Sequence, residues 1–196
     1  MVLATDRFWV VDVEGNGASP PEIVELAMIE VSGLRLSGVT HRWLVRPKQA
    51  MSPIASRIHG LSDHDVADAP SIEDIADAVL SLLGDIPIIG HSVRVEVDAI
   101  SRAIPRWVPR VAVDTLRLAK DLKPGLESYS LEKLGTALDR TAEATELSNG
   151  QHHSALFDAT LTALVFIDLL SAVSGSRRSN ALLDADIFDQ RQGSLI

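Results

Sequence analysis

The sequence predicts one α/β layer domain: a five-stranded mixed sheet, three antiparallel strands and then two parallel ones, flanked by helices. Three observations predict it. Three segments rich in apolar and β-branched residues fall within the first 45 residues, separated by short turns, which is the pattern of an antiparallel meander. From residue 71 onward short apolar strands alternate with amphipathic helical stretches, as in strands joined by helical crossovers. The length of 196 residues, with 46% hydrophobic and 23% charged residues, suits one globular domain with a sizeable core.

Residues 7–13 (RFWVVDV) form an apolar run and read as a buried strand. Residues 16–21 are a turn rich in Gly, Ser and Pro, residues 23–31 read as a second strand, and 34–45 as a third. Residues 47–69 read as a loop with short helical pieces. Ser71 caps an amphipathic helix to about Leu83, with Glu73 and Asp74 well placed in its first turn. Residues 86–90 (IPIIG) give a fourth strand and 93–104 a helix stopped by Pro105, while 110–113 give a fifth strand and 115–120 a helix. Pro124 and Gly125 break the chain before helices over 130–138 and 153–173. Residues 1–174 thus read as the folded domain, and 175–196 as a polar, weakly periodic C-terminal tail.

Composition narrows the function classes. There is no cysteine, which excludes disulfides, thiolate metal sites and cysteine nucleophiles and fits a cytoplasmic protein. No apolar run reaches the roughly 20 residues needed to span a bilayer, and the first residues lack the signature of a signal peptide. The formal net charge of −9 argues against broad gripping of duplex DNA, which calls for excess Lys and Arg. It is compatible with drawing one strand end into a pocket of carboxylates and metal. Of the 18 basic residues, half fall between Arg94 and Arg140. Arg102, Arg106, Arg110, Arg117, Lys120 and Lys123 fit either a track for a phosphate backbone or a solvated helix face.

Three stations carry candidate chemistry. Asp12 and Glu14 project from the same side of the first strand, because a strand alternates its faces. Two carboxylates buried side by side are costly unless a cation or hydrogen bonds offset them, and a divalent metal does so well. Taken alone, the pair also fits an exposed strand end. The second station follows the fourth strand: His91, Ser92, then Glu96 and Asp98, which cannot both face one way across roughly 200° of helix. The third is His153 with Asp158; five residues apart, they share a face only where His153 precedes the helix proper. A histidine beside a metal-binding carboxylate suits general-base work, and a surface histidine at a helix start is the plain alternative.

Together the stations and the segments between them resemble the DEDDh 3′–5′ exonucleases over about residues 8–172. Asp12-Val13-Glu14 resembles the first motif and Ile23-Val24-Glu25-Leu26-Ala27 the second strand. Ile58-His59-Gly60-Leu61-Ser62 resembles the Ile-His-Gly-Ile-Thr loop, and the stretch from His91 to Ile100 the second motif. Asp114-Thr115-Leu116, Ser130-Leu131-Glu132-Lys133-Leu134 and His153 with Asp158 continue the match in order. The first motif continues Gly15-Asn16-Gly17 where the family has Thr-Thr-Gly, Ser92 replaces Asn, Val95 replaces Phe, and Glu96 stands where the family has Asp.

The resemblance implies a ribonuclease H-like fold and an exonuclease that releases nucleoside 5′-monophosphates from single-stranded 3′ ends. DNA is the favoured substrate; RNA trimming, or a weakened nuclease fold serving as a scaffold, are the alternatives. It implies that Asp12, Glu14 and Asp158, completed by Glu96, hold two Mg²⁺ or Mn²⁺ ions, and that His153 is the general base. Gly15, Asn16, His59, Gly60, Leu61, His91 and Ser92 are implied substrate contacts. The terminal Gln192-Gly193-Ser194-Leu195-Ile196 resembles a peptide that docks on the bacterial sliding clamp.

Overall fold

The computed structural model describes residues 6–149 and 153–189. Strands β1 (Arg7–Gly15), β2 (Ile23–Ser32) and β3 (Arg35–Leu44) form the expected antiparallel meander. Strands β4 (Ile88–Gly90) and β5 (Ala112–Asp114) join on the other side, parallel to β1, giving the order β3-β2-β1-β4-β5. The expected five-stranded mixed sheet is therefore present.

Strand alternation divides the core into two layers. Phe8 and Val10 of β1, with Ala27, Ile29, Val31, Ile89 and Val113, face α8 (Ala155–Ser171). Trp9 and Val11 face the other way, with Leu26, Met28 and Ile88, onto α3 (Ile72–Leu83) and α4 (Arg94–Ala103). Trp9 is fully buried, and its indole N–H donates to the Leu82 carbonyl at 2.8 Å, satisfying its one polar group. Helix α8 buries twelve of its 17 residues, which explains its nearly unbroken apolar sequence: it lies between the sheet and α5 (Thr115–Leu122), α6 (Leu131–Ala137) and α7 (Thr141–Leu147). Between β3 and α3 the chain makes two short helices, α1 (Pro53–His59) and α2 (Asp63–Val66), as expected of that loop.

Two expectations need correction. Helix α7 has no counterpart in the sequence reading; of its seven residues only Ala144 is buried, too little for a helical period to show. Residues 175–189 are not a tail. Helix α9 (Gly175–Ala185) packs on α5 and β5 through buried Ala181 and Ala185. Beyond it Asp186 bridges to Val113, and its buried carboxylate accepts from the Ala112 and Phe188 N–H groups at 3.0 and 3.1 Å. This segment covers the otherwise open edge of β5. Its apolar face is made mostly of alanines, so the hydrophobic signal is weak. The clamp-like pentapeptide from Gln192 to Ile196 lies outside the described residues. Among the described residues no helix is long and apolar enough to cross a membrane.

Candidate active site

Strands β1, β4 and β5 run parallel, so their carboxyl ends share one edge of the sheet, where open α/β sheets place ligands. Asp12 and Glu14 stand near that end of β1, on the face that meets α8. The first turn of α8 supplies Asp158; Ser154 caps the helix, its side chain accepting from the Phe157 N–H. One oxygen each of Asp12, Glu14 and Asp158 lies within 4.8 Å of the others, the arrangement a divalent cation requires.

The electrostatics agree with the donor set. Burial, then the charges of Glu96, Asp158, Glu14 and Glu25, hold the Asp12 carboxyl well above the usual carboxylate range. Burial likewise pushes Glu14 up to about 8, aided by Asp158 and Glu25. Without a cation the cup is a cluster of mutually repelling acids.

Glu96 projects from the first turn of α4 and is 4% exposed, whereas Asp98 is exposed. The Oε2 atom of Glu96 is buried without a hydrogen-bond partner, and burial pushes its carboxyl to about 8. Gly90 leaves the room for it: a Cβ there would stand 3.1 Å from that oxygen and 2.9 Å from a Val93 methyl. Glu96 is thus the acid turned towards the cup, although it is not one of the three whose oxygens lie within 4.8 Å of each other. His153 is exposed immediately before α8, and its φ of 59° takes it out of the helical path. It is not among the residues whose ligand atoms lie within 4.8 Å of one another. His152 lies outside the described residues.

Several expected substrate contacts also have structural work. Asn16 is fully buried; its Oδ1 accepts from the Ala18 and Glu22 N–H groups at 3.1 and 2.9 Å, and its Nδ2 donates to the Gln49 carbonyl at 3.2 Å. Through these bonds its side chain ties the β1–β2 loop together. Next to it Gly17, with φ of 77°, leaves no space for a side chain: a Cβ would lie 2.2 Å from Ser52 Oγ. Replacing Asn16 by alanine should therefore cost about 2 kcal/mol in urea denaturation, through unpaired loop groups.

Both ring nitrogens of His91 are likewise engaged, by Thr115 Oγ1 at 3.0 Å and the Tyr129 carbonyl at 2.9 Å. Ser92 adopts φ of 68° and donates its N–H to Asp114 at 3.0 Å. Leu61 is buried against Val24, Met51 and Val66. His59 is buried, its Nδ1 accepting from the Leu61 N–H at 3.1 Å, and burial lowers its proton affinity. Its Nε2 is buried without a hydrogen-bond partner. Gly60 caps α1 with φ of 78° and faces open space, and Gly15 ends β1 at a register shift. These two remain open to a ligand. So does a cavity of about 260 Å³ beside Glu14, lined by Gly15, Pro21, Val95, Asp98 and Arg102 among others.

Between the two readings of the basic stretch, a phosphate track or a solvated face, the pairings of Arg106 and Arg110 fit the solvated face. Arg106 and Arg110 pair with Asp77 and Asp85 on the α3 side, and Arg102 donates to the Pro21 carbonyl at 3.0 Å. Two buried acids beside the site had no role in the sequence reading. Asp114 holds the Ser92 turn and caps α5, and Glu25 reaches the start of α8. For Glu25 the available signal was the one used for Asp12, a carboxylate inside an apolar strand.

The sequence of residues 9–166 matches the family designated RNase_T, described as exonuclease. DNA polymerase III subunit epsilon of Aquifex aeolicus is 29% identical over 176 residues, covering 86% of this chain and 82% of that protein. DNA polymerase III PolC-type of Thermotoga maritima is 31% identical over 170 residues, covering 82% of this chain but 12% of that longer protein. Among solved structures, exonuclease X in complex with 5′-overhanging duplex DNA superposes with a TM-score of 0.65 at 28% identity, covering 89% of this chain and 99% of that one.

Proposed function

Because the chain belongs to the RNase_T exonuclease family and is a 3′–5′ exonuclease of the DEDDh type, we propose that it removes nucleoside 5′-monophosphates one at a time from single-stranded DNA 3′ ends. The observation that carries this reading is the convergence of Asp12, Glu14 and Asp158 from β1 and α8. Hard carboxylate oxygens suit Mg²⁺ or Mn²⁺, and the cluster's raised proton affinities mark a site built for positive charge. Asp12, Glu14 and Asp158 would hold the ions, and Glu96, with its unpartnered oxygen, completes the set. A pair of such cations supplies Lewis-acid polarisation and charge neutralisation at the attacked phosphorus.

The residues of the chain do the remainder. An imidazole nitrogen of His153 takes a proton from the attacking water. The water oxygen bonds to phosphorus as the P–O3′ bond breaks, and the departing O3′ takes up a proton to become the new terminal hydroxyl. The backbone at Gly15 and the turn at Gly60 border the terminal nucleotide. The likeness to a replicative polymerase subunit supports a role in replication or repair in the cytoplasm.

An RNA end or a short oligonucleotide is the second reading, and the net charge of −9 favours a short substrate over a long strand. End-labelled DNA and RNA oligonucleotides incubated with Mg²⁺ separate the two. The expected result is a one-nucleotide ladder from single-stranded DNA that disappears with EDTA. A ladder from RNA alone would move the assignment to RNA. No shortening of either would leave a scaffold on a nuclease fold.

A further inference from the structure

Glu25 takes no part in the chemistry above, yet it is a fully buried carboxylate among apolar neighbours: Val24, Leu26 and Ala27 are also 0% exposed. It stands directly opposite Glu14 in the β1–β2 register. Like charges opposite each other on paired strands are unfavourable, so the position is expensive for the fold. Both of its oxygens are engaged. Oε1 accepts from Arg42 Nε at 2.6 Å, across the β2–β3 pair. Oε2 accepts from the Ala155 N–H at 3.2 Å, the first residue of α8 and an otherwise orphan donor of that helix.

We infer that Glu25 is a positioning residue that clasps the amino end of α8 to the sheet and so sets Asp158 against Asp12 and Glu14. The inference rests on the exonuclease reading of that cluster. Asp158 is three residues beyond Ala155, and its own N–H bonds back to Ser154 at 3.0 Å, so the clasped turn and the metal-site carboxylate form one rigid piece. Arg42 fixes the carboxylate from the other side. A salt bridge that served stability alone would need no bond to a helix terminus 130 residues away in sequence.

The test removes the N–H and little else. Proline is favoured at the first position of a helix, and Ser154 already has the extended ψ of 151° that a following proline requires. Ala155→Pro therefore keeps the helix and deletes the clasp. The expected result is a folded protein whose kcat on a DNA 3′ end falls about tenfold to a hundredfold with KM within about threefold, as for a displaced catalytic group. Calorimetric titration with Mn²⁺ should show affinity weakened about tenfold. Glu25→Gln, which keeps an acceptor oxygen for Ala155, should retain most of both, and Glu25→Ala should match Ala155→Pro. Folded Ala155→Pro and Glu25→Ala proteins with unchanged kcat and Mn²⁺ affinity would overturn the clasp. Should Ala155→Pro not fold, Glu25→Ala is read by the same two measurements. A wild-type protein that shortens no oligonucleotide and binds no Mn²⁺ would instead fail the exonuclease reading, and the clasp would fall with it.

Discussion

Asp12→Ala is expected to lower kcat by at least about 10³-fold, roughly 4 kcal/mol of transition-state stabilisation, with little change in KM. Asp12 lies among the clustered carboxylates, and burial together with Glu96, Asp158, Glu14 and Glu25 raises its proton affinity. Losing it removes the ligand that most needs a cation and that a cation most needs. The same residue should carry an opposite signature in stability. In metal-free protein at about pH 8, Asp12→Asn should be more stable than wild type by about 1–3 kcal/mol, because it removes a carboxyl whose ionisation is opposed by burial and by Glu96, Asp158 and Glu14 while keeping the side-chain shape. Chemical denaturation in EDTA measures this. A less stable Asp12→Asn protein would mean that hydrogen bonds, rather than a cation, compensate the cluster.

The second large effect is the coupling of pH, metal and stability. Glu14 and Glu96 both rise from an ordinary 4.5 to about 8 in the folded chain without metal. Between those values the native state binds more protons than the unfolded one, so stability falls as pH rises. The contribution is complete below about pH 4.5 and lost through about pH 8, and for Glu14 alone it is of the order of 3–5 kcal/mol. Metal-free protein should thus melt well below its pH 5 temperature when raised to pH 8. A divalent cation reverses the sign, because it binds the charged carboxylates and expels their protons. Mg²⁺ or Mn²⁺ affinity should climb with pH across the same window, and at about 100 times Kd the ion should add roughly 2.7 kcal/mol. Titration in buffers of different ionisation enthalpy counts the protons released. Release of none, with melting independent of pH, would contradict the electrostatics of the cup.

Much of this was legible in the sequence because it is written in short-range periods. The placement of Asp12 and Glu14 on one face follows from strand alternation, and Ser71, Pro105 and the Pro124-Gly125 break mark helix limits through local backbone chemistry. What could not be read depends on tertiary partners. Asn16 and His91 look like ligand contacts by type and position, yet the Glu22, Gln49, Thr115 and Tyr129 groups that consume them lie between 6 and 38 residues away. Arg106 and Arg110 fit a phosphate track or a solvated face by sequence alone, and only the fold brings Asp77 and Asp85 opposite them. The docking of α9 rests on alanines and one buried aspartate, neither of which makes a strong hydrophobic pattern. The choice of Glu96 over Asp98 followed from the resemblance, whereas the space that Gly90 leaves for it is a tertiary feature no helical period records.

The central claim, that carboxylates from β1 and α8 form one cation site, is tested most directly by a crystal grown with Mn²⁺ and read by anomalous scattering at the manganese edge. Strong peaks bonded to oxygens of Asp12, Glu14 and Asp158 are expected. A map with no peak between those three side chains, at a Mn²⁺ concentration that supports catalysis, would contradict that claim.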